Sequence, residues 1–269
     1  MGGKQDKLTQ DLEDTMDMGL KGKVALVTGG SRGIGRATAL GLAEEGCSVA
    51  ICARGKEQLE ETAGELRAKG VDVLALPADM TNPEDIAQLV DQTVRRFGTV
   101  HVLVNNVGGS RGGPIPTDED WQGTLDLNLF AAIRTTRLVL PYMQQQGYGR
   151  IINVASIYGR ESGGGPTYNA AKASLISFSK TLALQVAAQG ITVNSLCPGS
   201  ILFPGGGWAR RVEQDPEGMA QFVKRDMPSG RFGKVEEIAA VAVFLASEQA
   251  SLLTGASVNV DGGQSRSLI

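Results

Sequence analysis

The strongest constraint on this chain is a rhythm that sets in after Lys23, where short runs rich in β-branched residues alternate with stretches of helix length. The strand-like runs are 24–28, 49–53, 71–76, 102–104, 150–155, 192–197 and 257–260. Between them lie helical patterns over 33–45, 56–69, 83–97, 117–145, 166–189 and 235–247. Strand, helix, strand at this spacing requires right-handed crossovers onto one parallel sheet. The strands are nearly unbroken in apolar residues, which suits a sheet with helices on both faces. No Pro-rich linker or shift of composition divides the 269 residues. The expectation is therefore a single α/β doubly wound domain over 21–269, built on a seven-stranded parallel sheet. Residues 1–20 are polar and acid-rich and read as an N-terminal arm. The irregular stretch 198–233 reads as a substrate lid.

Composition excludes several classes. Twenty-six Lys and Arg stand against 29 Asp and Glu, a net charge of −3, so no basic surplus points to nucleic acid or anionic lipid. The longest apolar run, 238–246, is nine residues, far short of a membrane span. The start has no apolar secretory core, and Asp6 stands where a myristoylation signal wants Ser or Thr. A cytoplasmic protein with no membrane or nucleic-acid partner is expected. Three irregularly spaced cysteines, Cys47, Cys52 and Cys197, make neither a disulfide framework nor a zinc site. The single histidine, His101, rules out a multi-histidine metal centre, and no metal is expected.

The first strand-like run empties into Thr28-Gly29-Gly30-Ser31-Arg32-Gly33-Ile34-Gly35 and passes directly into a helical pattern. A glycine-rich turn here lets the backbone approach a ligand and aims N–H groups and the positive helix end at an anion. That sets Gly29, Ser31, Arg32, Gly33, Ile34 and Gly35 around the phosphates of a dinucleotide. Gly29-Gly30-Ser31-Arg32-Gly33 also fits the G-x-S-x-G elbow of hydrolases. That reading needs a downstream histidine, and His101 heads a strand with no loop in which to reach back. A triphosphate loop would end in Gly-Lys-Ser/Thr, which is absent. The second run ends at Ala53-Arg54, with no acid for the adenosine ribose of NAD. Arg54 and Arg32 suit a 2′-phosphate instead, because guanidinium makes charge-assisted bonds to phosphate. NADP(H) is expected over NAD(H).

The fifth run ends at Ser156, and twelve residues later Tyr168-Asn169-Ala170-Ala171-Lys172 opens a long helix. Tyr168 and Lys172, four apart, share a helix face. A phenol, with an ordinary pKa of about 10, is a poor base at neutral pH. A neighbouring ammonium, with the cation of an oxidised nicotinamide, would bring that pKa down. Tyr168 then exchanges a proton with an alcohol or carbonyl oxygen while hydride moves, and Ser156 holds the same oxygen.

Together these motifs resemble the common branch of the short-chain dehydrogenase/reductase family, over residues 21–263. Thr28-Gly29-x-x-x-Gly33-x-Gly35 resembles the family's cofactor turn, and Asn105-Asn106-Val107-Gly108 its Asn-Asn-Ala-Gly segment beside the adenosine ribose. The resemblance implies a Rossmann-type fold and assigns roles by position. Asp79 matches the residue that contacts adenine, with Met80 beside it. Asn128 matches the asparagine that holds a water in the proton relay. Ser156, Tyr168 and Lys172 match the catalytic set, with Tyr168 and Lys172 also at the nicotinamide ribose. Pro198, Gly199 and Ile201 match the turn beside the nicotinamide. Two positions depart from the pattern. Val107 replaces an alanine, which should tighten packing, and Phe203 stands where a threonine commonly meets the cofactor. The implied activity is hydride transfer between NADP(H) and a carbonyl or secondary alcohol, as in carbonyl and 3-oxoacyl reductases. The implied assembly is a homo-oligomer, a tetramer or a dimer, through the two long helices and the last strand.

Substrate choice falls to 109–116, 157–165 and 198–233, the loops at the active edge. Phe203, Trp208, Met219, Phe222 and Met227 make the last of these apolar, favouring a cyclic, aryl or acyl carbonyl over a sugar. Arg160 and Glu161 read either as polar selectivity or as solvated loop charges. Two other functions share the fold. An epimerase or dehydratase usually spaces its glycines differently and adds a larger C-terminal region. A nucleotide-sensing or scaffold protein has little reason to keep Ser156, Tyr168 and Lys172 together.

Overall fold

The computed structural model describes residues 17–268. Among these residues seven strands form one parallel sheet: β1 (Val24–Thr28), β2 (Ser48–Ala53), β3 (Val73–Pro77), β4 (Val102–Asn105), β5 (Gly149–Val154), β6 (Ile191–Pro198) and β7 (Ser257–Val260). Their order is β3-β2-β1-β4-β5-β6-β7, every neighbouring pair parallel. The helices are α1 (Gly33–Glu44), α2 (Lys56–Arg67), α3 (Pro83–Phe97), α4 (Asp118–Leu125), α5 (Ala131–Gln145), α6 (Pro166–Val186), α7 (Gly207–Gln214), α8 (Pro216–Asp226) and α9 (Val235–Ala246). This is the doubly wound α/β sheet that the alternation requires.

Side-chain parity along the strands builds the two cores, because successive residues of a strand point to opposite faces. Ala25, Val27, Val49, Ile51, Val102 and Val104 pack with Leu42 of α1, Leu59 of α2 and Ile238 of α9. Their in-between neighbours Leu26, Ala50, Cys52 and Leu103 pack on the other face with Leu89 of α3, Val139 of α5 and Leu182 of α6. Burial on both faces explains why these strands read as continuous apolar runs.

Three features go beyond the sequence reading. The helix expected over 117–145 is interrupted by one wide π turn, Asp126–Phe130, between α4 and α5. The stretch 198–233 carries α7 and α8 rather than irregular chain alone. Of the expected arm, residues 1–16 lie outside the described residues, whereas 17–20 are fastened to the domain. Gln249 Nε2 donates to Asp17 O, Glu248 N–H donates to Met18 O, and Leu20 is buried.

Sequential strands run outward from β1 to β3 and then from β4 to β7, so the connection reverses between β1 and β4. A crevice opens at such a reversal outside the carboxyl ends of the strands, and ligands of these folds bind there. Thr28, Asn105, Val154 and Pro198 end the four central strands at that edge.

Candidate active site

The turn after β1 is held by the residues that leave β4. Asn106 Nδ2 donates to Thr28 O at 2.9 Å and Gly29 O at 3.2 Å, and its N–H donates to Thr28 Oγ1 at 3.0 Å. Gly35 is dictated by that closeness, since a Cβ there would stand 2.3 Å from Gly29 O and 2.4 Å from Asn106 Nδ2. Gly29 and Gly33 take φ of +67° and +57°, a left-handed backbone that favours glycine. Val107 packs against Gly29, its Cγ2 3.1 Å from where a Cβ would lie. Arg32 precedes α1 in an extended conformation; among the described residues no side chain caps this helix, and its first turn holds no acid. By contrast, Asn82 caps α3 by accepting from Glu84 and Asp85. An uncapped helix start at a glycine turn fits an anionic phosphate group, which the first amides and the helix dipole would hold. Ser31 is buried, and its carbonyl accepts from Thr62 Oγ1 at 3.1 Å. His101 Nδ1 accepts from Val24 N–H, at the other end of β1, about 13 Å of strand away from this turn, so no hydrolase elbow is assembled.

The expected cofactor contacts outside the glycine turn divide into two groups. Arg54 is exposed just past β2, and Arg32 is exposed in the turn. Asp79 accepts from both the N–H and the hydroxyl of Thr81. Those bonds hold its carboxyl below the usual range, with smaller help from the charges of Arg54 and Arg111. Met80, Asn105 and Ile201, by contrast, turn their side chains inward. Met80 lies buried 3.5 Å from Cys52 Sγ, and Ile201 joins the core under α9. Asn105 Nδ2 donates to Thr136 Oγ1 and Asn153 Oδ1, while its Oδ1 finds no partner among the described residues. Of these three expected cofactor contacts, Met80 and Ile201 would meet a ligand through their backbone. The apolar side chains of Met80 and Ile201 gain from burial, and the buried Asn105 amide is held by its bonds to Thr136 and Asn153.

Ser156, Tyr168, Lys172 and Asn128 converge at the ends of β4 and β5. Ser156 is extended and accepts from Tyr158 N–H at 3.1 Å. Lys172 is 2% exposed, and its Nζ donates to Val154 O at 2.8 Å and lies 5.6 Å from the Tyr168 ring centre. Gly108 fits between Asn128 and Lys172, since a Cβ there would stand 2.8 Å from Asn128 Oδ1 and 3.0 Å from Lys172 Nζ. Asn128 sits in the π turn, with Nδ2 donating to Gly109 O and Thr124 O and Oδ1 accepting from Gly109 N–H. Such turns concentrate at functional sites. Burial brings the Lys172 ammonium down to about 8. The sequence reading has that ammonium, together with the cation of an oxidised nicotinamide, holding the Tyr168 phenol low. In the chain alone burial raises the phenol above its ordinary value, outweighing the hydrogen bond of Ser156, and the ammonium donates to a backbone carbonyl.

Sequence reasoning missed three residues at this edge. Gln264 acts through a bond to distant backbone, which no local pattern announces. Tyr158 stands against Tyr168 across Gly164, close to the charges of Arg211, Asp226 and Glu161. Phe232 completes an aromatic group in which Trp208 stacks on Phe222 at 4.9 Å and meets Phe232 at 5.4 Å. Phe203 lies apart from that group, its ring over Gly33, with Cε2 2.7 Å from the place of a Cβ. Among the described residues no group of His, Cys, Asp or Glu is arranged to hold a metal ion, and no helix is long and apolar enough to cross a membrane. Cys47, Cys52 and Cys197 are free and buried.

Known proteins are similar to this chain over most of its length. The family model described as short chain dehydrogenase matches residues 23–207. The 3-oxoacyl-(acyl-carrier-protein) reductase of Thermotoga maritima is 37% identical over 249 residues, 91% of this chain and 99% of that protein. Among solved structures, L-sorbose reductase from Gluconobacter frateurii complexed with NADPH and L-sorbose has a TM-score of 0.89 at 38% identity, covering 94% of this chain and 100% of that one. NAD+-bound xylitol dehydrogenase has a TM-score of 0.84 at 34% identity, covering 91% of this chain and 99% of that one.

Proposed function

Because the chain belongs to the short-chain dehydrogenase family and is an oxidoreductase, we propose that it reduces a carbonyl substrate with NADPH. The observation that carries this reading is the buried Lys172 beside Tyr168 and Ser156, at the same sheet edge as the uncapped start of α1. The 3-oxoacyl reductase name of one relative and the NADPH in one structural neighbour support the direction and the cofactor.

In this reading the turn 29–35 holds the pyrophosphate, and Arg32 and Arg54 hold the 2′-phosphate. The absence of an acid after β2 favours that phosphate over a bare ribose. The bound nicotinamide supplies the hydride. Tyr168, kept protonated at neutral pH by its burial, donates its proton to the carbonyl oxygen. Ser156 donates a hydrogen bond to the same oxygen. Lys172, charged below about pH 8, stabilises the phenolate left behind, and Asn128 holds the relay that returns the proton. The lid 198–233 shapes the substrate side, its aromatic group favouring an acyl, aryl or ring carbonyl. Assembly as a homo-oligomer belongs to the same reading, with Leu184 on α6 exposed to 75%.

Mixing the protein with NADPH or NADH and a panel of 3-oxoacyl thioesters, cyclic ketones, aryl ketones and ketoses tests this directly. Loss of reduced-nicotinamide absorbance with NADPH and an apolar carbonyl is the expected result. Turnover of ketoses alone would reverse the substrate assignment, and no turnover despite tight NADPH binding would favour a nucleotide sensor. Tyr168→Phe should lower kcat by about a hundredfold or more while NADPH affinity stays within about twofold.

A further inference from the structure

The chain after β7 turns back into the floor of the site. Asp261 follows the strand, and Gly262 and Gly263 take φ of +62° and +83°, a left-handed pair that reverses direction. Asp261 secures the reversal, Oδ1 accepting from Gly263 N–H at 3.0 Å and Oδ2 from Ser265 N–H at 2.8 Å. Gln264 is thereby directed inward and is 8% exposed. Both ends of its amide engage a single residue: Oε1 accepts from Ser200 N–H at 2.7 Å, and Nε2 donates to Ser200 Oγ at 2.9 Å. Ser200 is buried, and Gly199 before it has no room for a side chain, since a Cβ would stand 2.7 Å from Gln264 Oε1. Two residues beyond Gln264 the segment is fastened to the other flank of the site. Glu161 Oε2 accepts from Arg266 N–H at 3.0 Å and Ser267 N–H at 2.9 Å. Arg160 Nη1 adds a bond to Asn259 Oδ1 at 2.6 Å.

We propose that Gln264 is a positioning residue of the reductase site, and that 261–267 is a strap holding the turn after β6 in register with the loop after β5. The proposal rests on the reductase reading for its consequence, though not for its geometry. An amide that spends both ends on one buried residue leaves that residue no slack. Without Gln264 a buried N–H and a buried hydroxyl lose their partner, and the turn must open toward water to recover them. That turn carries Pro198 and Gly199, which in the reading above border the nicotinamide. Its opening is felt as weaker cofactor retention before it is felt as unfolding. Arg160 and Glu161 then serve to hold the strap, not to select substrate.

Gln264→Met keeps the length of the side chain and removes both bonds. Gln264→Glu keeps two acceptors, for Ser200 N–H and for its hydroxyl. Hydrogen exchange of peptides covering 198–203 in ligand-free protein reads the turn, and KM for NADPH against kcat reads its consequence. In Gln264→Met we expect exchange over 198–203 to quicken and KM for NADPH to rise about five- to tenfold, with exchange elsewhere unchanged. Gln264→Glu should restore most of both, and Glu161→Ala should quicken exchange over 264–268. The proposal is overturned by unchanged exchange and KM in Gln264→Met, by faster exchange spread evenly over the molecule, or by a defect that Gln264→Glu leaves in place. If the unmodified protein reduces no carbonyl, the reductase reading fails by itself, and the exchange data still decide whether Gln264 holds the turn.

Discussion

A lysine that is 2% exposed is costly to keep charged, and Lys172 shows the cost as a pKa brought from 10.5 to about 8 by burial. The sign of the linkage follows. Below about pH 8 both folded and unfolded chains carry the proton and the penalty is complete. Between 8 and 10.5 the folded lysine is neutral while the unfolded one still binds a proton, so stability rises with pH. Relative to Lys172→Met, the unfolding free energy of the unmodified chain should improve by about 3 kcal/mol between pH 8 and 10.5. Urea titrations of both proteins across that range measure it, and parallel curves would mean that the ammonium is solvated. Arg54 offers a residue-level test of another kind. Arg54→Asp should weaken NADPH by about tenfold or more and NADH far less, because it sets a carboxylate where the reading puts the 2′-phosphate. Equal losses in titrations of the two cofactors would remove that assignment. The i, i+4 spacing of Tyr168 and Lys172 was legible because it is local. The partner of Lys172 was not, because Val154 O comes within 2.8 Å only once α6 crosses β5.

Elements were legible to the degree that their signal is periodic. The five inner strands were, through apolar runs that burial on both faces demands, while the edge strands β3 and β7 are only partly buried. The π turn at Asp126–Phe130 was hidden, since 117–145 keeps a helical pattern throughout and the widening is fixed by Asn128 reaching Gly109. The glycine turn was visible as a motif, but the reason for each glycine was not. Gly35 is set by Asn106, which lies 71 residues later in the chain, just past β4, and locks Thr28 and Gly29. Gly35→Ala therefore puts a methyl against a carbonyl that is itself held in place, 2.3 Å away. The expected loss is about 2–3 kcal/mol of stability, together with NADPH binding, since the turn must move to admit the methyl. Denaturant titration and cofactor fluorescence on the same variant check both, and a stable protein with normal NADPH affinity would show that the turn yields freely.

At the scale of the whole molecule the sheet separates stability from chemistry by its two edges. Ser156 and Pro198 lie at the carboxyl edge, and Arg150 lies at the start of β5, about 20 Å of strand away. Arg150 is 3% exposed and joins three parts of the chain. Its Nε donates to Ser247 O after α9, Nη1 to Gly149 O and to Gly190 O before β6, and Nη2 to Glu248 Oε2 at 3.1 Å. Its guanidinium also stacks 4.3 Å from the Tyr148 ring, on whose other contacts Lys23 and His101 converge. Nothing in the run 150–155 marks Arg150 as more than one strand residue, because its partners are up to 98 positions away. Replacing it with methionine keeps the apolar stem but removes the guanidinium bonds to Ser247 O, Gly149 O and Gly190 O at a buried junction. Arg150→Met should cost about 3 kcal/mol of unfolding free energy, while kcat and NADPH affinity of the folded fraction stay within about twofold. None of the hydrogen-bond partners of Arg150 is a residue of the site, so its loss is expected as lost stability rather than as a shift of Ser156. A variant that kept its stability but lost activity would show that the amino edge steers the site, and that the sheet does not insulate one end from the other.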